Sequence, residues 1–274
     1  MGRVILVTGA NRGERELSSQ FGIGRGLVAH YLAQPDTTVI GAVRAVSCGN
    51  TKELNELPTG EGSPLIVVPL SADSPMGAAE AVSEIQMQHH VGHVDIVIAS
   101  AGICDHFGPV EEMTDSDVLS HFEVNTLGPL RLFRAVAPLL RKASTPKFAY
   151  VSTVMASIHM IEQIPSLTAA YGMSKVAGNY LIKKIDAENK DLIALSIDPG
   201  MVQTDMGSRA AQAIGLEKAP VTLQETVQGI THQVCKNLAT MTSCRLLTSL
   251  QIEAATKSTT SDQFVNYHGE KVCW

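Results

Sequence analysis

Several things are scarce in this sequence, and each scarcity closes a class of function. Basic charge is not in excess: 21 Lys and Arg against 27 Asp and Glu give a formal charge of -6. That excludes the concentrated cationic surface a nucleic-acid partner requires. No apolar run approaches the roughly 20 residues of a membrane-spanning helix. The N-terminus enters an apolar run at Val4 and then a glycine turn, without the cleavage pattern of a secretory signal. The five cysteines are scattered and odd in number, which suits a reducing compartment rather than a disulfide framework. Internal repeats, low-complexity tracts and an interdomain linker are missing too. These absences leave a cytoplasmic globular chain. Its 274 residues, 45% hydrophobic and 18% charged, are enough for one large core.

What is present is a series of short apolar runs separated by amphipathic stretches. The runs are Val4–Thr8, Thr38–Val43, Pro64–Leu70, Val94–Ser100, Lys147–Ser152, Leu192–Asp198 and Gln263–Tyr267. Most are apolar throughout instead of alternating, as parallel strands covered on both faces are. Between them, Asp115–Arg141 and Ala170–Asn189 read as long helices. The alternation implies one α/β domain over 1–274, a doubly wound parallel sheet of seven strands with helices on both faces. Ligands of such sheets bind beyond the carboxyl ends of the strands, near the point where strand order reverses.

The chemistry gathers after those strand ends. In YGMSK, Tyr171 and Lys175 are four residues apart on one helical face. A phenol has a pKa of about 10, and a neighbouring ammonium lowers it by favouring the phenolate. Such a phenol can protonate a carbonyl oxygen as hydride reaches the carbon. Alone, the pair is equally an ordinary surface Tyr and Lys. It stands, however, in fixed order with a strand–glycine turn–helix at the N-terminus, ASAG after the fourth strand, Asn125 in EVNTLGPL, and DPGMVQTDM.

On these motifs the chain resembles the short-chain dehydrogenase/reductase family nearly end to end, which implies a Rossmann fold. The tail FVNYHGEKVCW resembles the carbonyl-reductase-like branch. TAAYGMSKVAGNY and DPGMVQTDMG resemble the fungal norsolorinic acid ketoreductases of polyketide pathways.

The resemblance implies roles. Tyr171 is the general acid, Lys175 lowers its pKa and holds the nicotinamide ribose, and Asn125 holds a water linking Lys175 to solvent. The serine that usually meets the substrate carbonyl is replaced in VSTVMAS by Thr153, with Ser152 beside it and Ser157 further on; either Thr153 or Ser152 can serve. On the cofactor side the resemblance points to Gly9, Arg12, Ile23 and Gly24 in the glycine turn. It also points to Asp73 after the third strand, Ala101 in ASAG, Arg131 on the Asn125 helix, and Val202 and Thr204 at the nicotinamide carboxamide. The second strand ends GAVRAV, with Arg44 where NAD-dependent relatives carry an acid. A guanidinium suits a 2′-phosphate, so the cofactor expected is NADP(H).

Other features read more simply. His89, His90 and His93 lack the convergent partners a metal site needs and read as a solvated helix end. Cys235 and Cys244 are too far apart for a zinc knuckle. The acidic stretch Glu111–Asp117 supplies a helix start, capped by Thr114 or Asp115.

Two segments interrupt the family pattern. Deleting Glu14–Gly22, or equally Gly13–Phe21, leaves TGANRGIGRG; deleting Val234–Gln251 joins THQ to IEAAT. They are either lineage-specific loops or translated intron sequence. The reading is an NADPH-dependent ketoreductase acting on a small-molecule ketone or alcohol, with an aromatic polyketide as candidate. A sugar or steroid alcohol dehydrogenase is the rival enzyme. A silent dinucleotide-binding sensor or scaffold is the rival outside catalysis, because the phosphate loop is interrupted. The family's pairing helices imply a homodimer or homotetramer.

Overall fold

The computed structural model describes residues 2–11, 22–46, 49–164, 166–235 and 263–274. Arg12, the first interruption apart from Gly22, Cys244 and most of the second interruption lie outside the described residues.

Seven strands form one sheet: β1 Arg3–Thr8, β2 Thr37–Val43, β3 Leu65–Pro69, β4 Ile96–Ala99, β5 Lys147–Val151, β6 Ile193–Asp198 and β7 Gln263–Asn266. Their order is β3-β2-β1-β4-β5-β6-β7, with every neighbouring pair parallel. Strand order reverses between β1 and β4. The fourth strand is shorter than its apolar run, and side chains bond backbone amides at both of its ends. The Asp95 carboxylate accepts from Val4 N at 2.8 Å, and Thr8 Oγ1 accepts from both Ser100 N and Ala101 N at 3.1 Å.

The helices are α1 Ile23–Leu32, α2 Gly49–Asn55, α3 Gly77–Met87, α4 Asp115–Phe122, α5 Gly128–Leu140, α6 Ala169–Glu188, α7 Asp205–Ala213 and α8 Leu223–Cys235. Alternate strand residues feed two cores. Val4, Leu6 and Val97 pack under α3, α5 and α6 through Ile85, Leu132, Val136 and Ile182. Ile5, Val7 and Ile98 pack on the other face against Leu27 and Tyr31 of α1 and Ile230 of α8. Continuous apolar strands are therefore the signature of a sheet buried on both sides.

The stretch Asp115–Arg141 is not one regular helix. Thr114 caps α4 with a reciprocal box to Asp117, and a wide π turn over Glu123–Leu127 separates it from α5. The cause is Pro129, which cannot donate to the carbonyl of Asn125 four residues back. That carbonyl accepts the Tyr150 hydroxyl instead, at 2.9 Å.

At the other edge of the molecule the chain after β7 doubles back, with Val265 bridged antiparallel to Lys271 and Val272 N donating to Phe264 O at 2.9 Å. Trp274 lies over Phe264 at 5.5 Å and beneath the Lys183 ammonium at 4.8 Å. The return covers an edge strand that would otherwise offer unpaired backbone.

Among the described residues no helix is long and apolar enough to cross a membrane, and no group of three or more His, Cys, Asp or Glu converges as metal ligands. His93 pairs instead with Asp95 at 3.3 Å.

Candidate active site

The turns after β1, β2, β3 and β4 enclose a cleft of about 380 Å³ at the carboxyl edge of the sheet. Gly9 follows β1 in a left-handed conformation, φ +69°. Gly24, in the first turn of α1, lies so close to β1 that a Cβ there would stand 2.3 Å from Gly9 O. The helix start is thereby drawn against the strand end, the arrangement that presents backbone N–H groups to an anion. Ile23 opens the same helix and packs on the α1 face. Arg44 is exposed at the mouth of the cleft, and Asp73, Ala101 and Glu123 also line it. Asp73 accepts from the Ser71 hydroxyl.

Arg131 does not line this cleft. Its guanidinium is held by Glu123 at 2.6 Å and lies 3.5 Å from the Ala72 carbonyl. The structure thus places Arg131, expected on the cofactor side, behind Glu123 and Ala72, both of which line the cleft. The π turn places Glu123 on the same side as Arg131, a pairing that regular helical spacing over eight residues does not reveal.

Deeper in, α6 brings Tyr171 and Lys175 beneath the end of β5. Lys175 is 3% exposed and Tyr171 9%. The Lys175 ammonium donates to Val151 O at 2.8 Å, lies 4.5 Å from the centroid of the Tyr150 ring and 5.8 Å from that of Tyr171. Gly102, in the turn after β4, lines the cleft and lies close against Lys175. A Cβ there would come within 3.1 Å of Asn125 Oδ1 and 3.3 Å of Lys175 Nζ. A side chain at this position would crowd both, so glycine keeps the cleft wall close against the ammonium.

Asn125 is fully buried on the π turn. Its amide donates to Ile103 O at 2.9 Å and Ser174 Oγ at 3.0 Å, while its Oδ1 accepts from Ile103 N at 2.8 Å. Ser174 in turn donates to Tyr171 O at 2.7 Å. The turn after β4, the π turn and the Tyr171 turn of α6 are thus fastened by one side chain. Tyr150 lies under this assembly, its own pKa raised well above the usual phenol value by burial and then by Tyr171. It remains a donor to the Asn125 carbonyl.

The two candidate hydroxyls after β5 part company. Ser152 is 1% exposed and donates to Asn179 Oδ1 on α6 at 2.7 Å. Thr153, one residue on, caps the short helical turn Val154–Ala156 and accepts from Met155 N at 3.3 Å, leaving its hydroxyl proton available. Ser157 is buried and accepts from Met160 N at 3.3 Å. After β6, Val202 is buried and bridges Val221, and Thr204 caps α7 by accepting from Gly207 N at 3.2 Å.

Tyr150, Ser174 and Asp198 are parts of this region that the sequence reading did not single out. The readable signal for Asp198 was an acid ending an apolar strand directly before Pro-Gly. For Tyr150 and Ser174 it was helical and strand spacing from Tyr171 and Ser152.

The sequence model for short chain dehydrogenases matches residues 3–215. The chain is 39% identical to the norsolorinic acid ketoreductase of Dothistroma septosporum over 98% of its length and 91% of that relative. It is 36% identical to the norsolorinic acid ketoreductase of Aspergillus parasiticus over 99% of its length and 91% of that protein. Among solved structures, NADPH-bound carbonyl reductase from chicken fatty liver superposes with a TM-score of 0.78 at 25% identity, over 100% of this chain and 99% of that one. With a sheet order, a strand-end cleft and a full-length sequence match that agree, this chain belongs to the short-chain dehydrogenase/reductase family.

Proposed function

We propose that the chain is an NADPH-dependent ketoreductase in which Tyr171 protonates the carbonyl oxygen of a ketone. The observation that carries the reading is the burial of Lys175 under the end of β5, its ammonium 5.8 Å from the Tyr171 ring and close against Gly102 of the cleft. Bound NADPH supplies the hydride. Lys175 favours the phenolate that Tyr171 becomes on giving up its proton, and its ammonium meets the ribose hydroxyls. Asn125 holds the turn after β4 and the Tyr171 turn in register. Thr153, not Ser152, offers its hydroxyl to the substrate carbonyl, because Ser152 is already spent on Asn179. Arg44 meets the 2′-phosphate.

The relatives' names and the exposed apolar surface support an aromatic polyketide as the substrate class. Of the exposed large apolar side chains, Val110, Ile158, Ile161, Leu167, Ile214 and Leu216 all lie on the connections that follow β4, β5 and β6. Two of those connections meet just before Tyr171, where Gly108 N donates to Leu167 O at 2.8 Å, and an aromatic polyketide ketone would cover these side chains. Leu119 and Tyr180, 68% and 69% exposed on α4 and α6, support a homodimer or homotetramer through those helices. The scattered, odd-numbered cysteines support a cytoplasmic setting.

The test follows NADPH absorbance against a panel of aromatic, sugar and steroid ketones, with Tyr171→Phe alongside. Loss of a general acid lowers turnover by about 10²–10⁴-fold, and NADPH affinity should change little. A Phe variant that reduces the best ketone at the parent rate removes Tyr171 from the mechanism. NADPH binding without turnover of any ketone would favour the sensor or scaffold.

A further inference from the structure

Strand β6 ends on Asp198, directly before Pro199 and Gly200. Its carboxyl is 7% exposed, and burial pushes its pKa up, opposed by hydrogen bonds from the backbone of Val154 and Gly200. Both bonds converge on one oxygen: Oδ1 accepts from Val154 N at 3.0 Å and from Gly200 N at 3.3 Å. Among the described residues no cation lowers the cost of placing this acid here. A buried carboxylate without a cation is costly where an uncharged side chain would suffice, so its presence calls for a reason at this position.

The reason lies in what the two amides belong to. The ladder between β5 and β6 ends with Ser152 N donating to Ile197 O at 2.7 Å. Beyond that bond the two chains diverge, one into Thr153 and Val154, the other into the Pro199–Gly200 turn, where Gly200 is left-handed at φ +74°. Thr153 carries the hydroxyl assigned to the substrate carbonyl, and Val202 and Thr204 follow Gly200 on the side assigned to the nicotinamide carboxamide. Asp198 is the next link after the ladder has run out.

We propose that Asp198 is a positioning residue: by holding the Val154 and Gly200 amides on one oxygen, it sets where the Thr153 hydroxyl stands relative to the turn after β6. The inference rests on the assignment of Thr153 made above. A charged acceptor makes stronger bonds to backbone N–H than a neutral one, which accounts for an acid at a site that buries it. Asparagine keeps an oxygen in the same place; alanine does not.

The experiment is a double-mutant cycle read as kcat/KM for the best ketone, with NADPH affinity and Tm measured on each variant. Asp198→Ala should lower kcat/KM by roughly tenfold or more, with NADPH Kd within about threefold of the parent, and Asp198→Asn should recover most of the loss. In the Thr153→Ala background, Asp198→Ala should add less than about a twofold further loss. If alanine does not fold, Asp198→Ser, too short to span both amides, replaces it in the cycle. The same fold-loss in both backgrounds would show that Asp198 supports the fold and not Thr153, and would overturn the inference while leaving Thr153 in place. A Thr153→Ala enzyme as active as the parent would remove the Thr153 assignment itself, and this inference with it.

Discussion

The molecule buries a lysine at each end of β5, and the two fare differently. Lys175 reaches the carboxyl end, where its ammonium donates to Val151 O at 2.8 Å and lies 5.8 Å from the centroid of the Tyr171 ring. Lys147 begins the strand, is 0% exposed, and donates to Val234 O at 2.7 Å at the carboxyl end of α8. Burial lowers the Lys147 pKa to about 8. The amino edge even has the larger hollow, about 520 Å³ lined by Arg3, His93, Asp95 and Lys147 among others, against about 380 Å³ at the carboxyl edge. Neither the size of a cavity nor a buried ammonium marks an active site. At the carboxyl edge the ammonium has a phenol one helical turn away and lies against a glycine that lines the cleft. At the amino edge it closes off a helix end.

The sharpest way to break this contrast is to remove each charge with the same substitution. Lys175→Met should lower kcat by about 10²-fold or more, since Tyr171 loses the charge that favours its phenolate. Lys147→Met should leave kcat within about twofold. Steady-state rates on the same ketone decide it, and equal losses would mean that Lys175 acts through the fold.

A third cation, Arg44, is exposed at the cleft mouth and tests whether the carboxyl edge recognises charge at its rim as well as in its depth. Arg44→Asp should weaken NADPH binding by about 1.5–3 kcal/mol, the range for a hydrogen bond to a charged group, and narrow or reverse the preference over NADH. Fluorescence titration of both cofactors measures it. An unchanged ratio would assign the preference to other residues.

Lys147 should declare itself in stability. Its folded-state pKa of about 8 lies below the ordinary 10.5, so the unfolded chain binds the proton more tightly. The cost is fully present below pH 8 and is relieved as pH rises towards the unfolded value. Relative to Lys147→Met, the parent should gain about 2 kcal/mol between about pH 7 and about pH 9.5. Thermal unfolding of the pair across that range checks the slope; parallel curves would mean the ammonium is not desolvated.

The smallest effect expected is confined to the carboxyl edge. Deleting Glu14–Gly22 to restore TGANRGIGRG removes two acids from the phosphate-binding turn, and should tighten NADPH binding a few-fold while leaving the Lys147 pH slope untouched. Calorimetry that shows weaker binding would make the segment a working part of the site.

The sheet was legible to within a residue or two per strand, since strands covered on both faces must be apolar along their whole length. That Tyr171, Lys175 and Asn125 lie in one region was legible because helix spacing and motif order constrain them. What escaped depended on direction and on distant partners. Whether Ser152 or Thr153 faces the ligand turns on one step of strand alternation and on Asn179, 27 residues away. The π turn follows from Pro129, but its result, a carbonyl handed to Tyr150, requires the fold. Lys147 looked like a polar strand start; only the approach of α8, 87 residues on, buries it. Arg131 was read on the cofactor side, and its pairing with Glu123 at 2.6 Å requires the fold.

The returning tail has an optical consequence. The sequence contains one tryptophan, and it is Trp274, stacked on Phe264 of β7 and roofed by Lys183 of α6, with its carbonyl accepting from His159 N at 3.4 Å. Selectively excited emission from the whole chain therefore comes from a single spot, at the seam between the sheet edge, the long helix and the segment that connects Thr153 to Tyr171. A change in that emission when a ketone binds would report movement of this seam without any label having been attached.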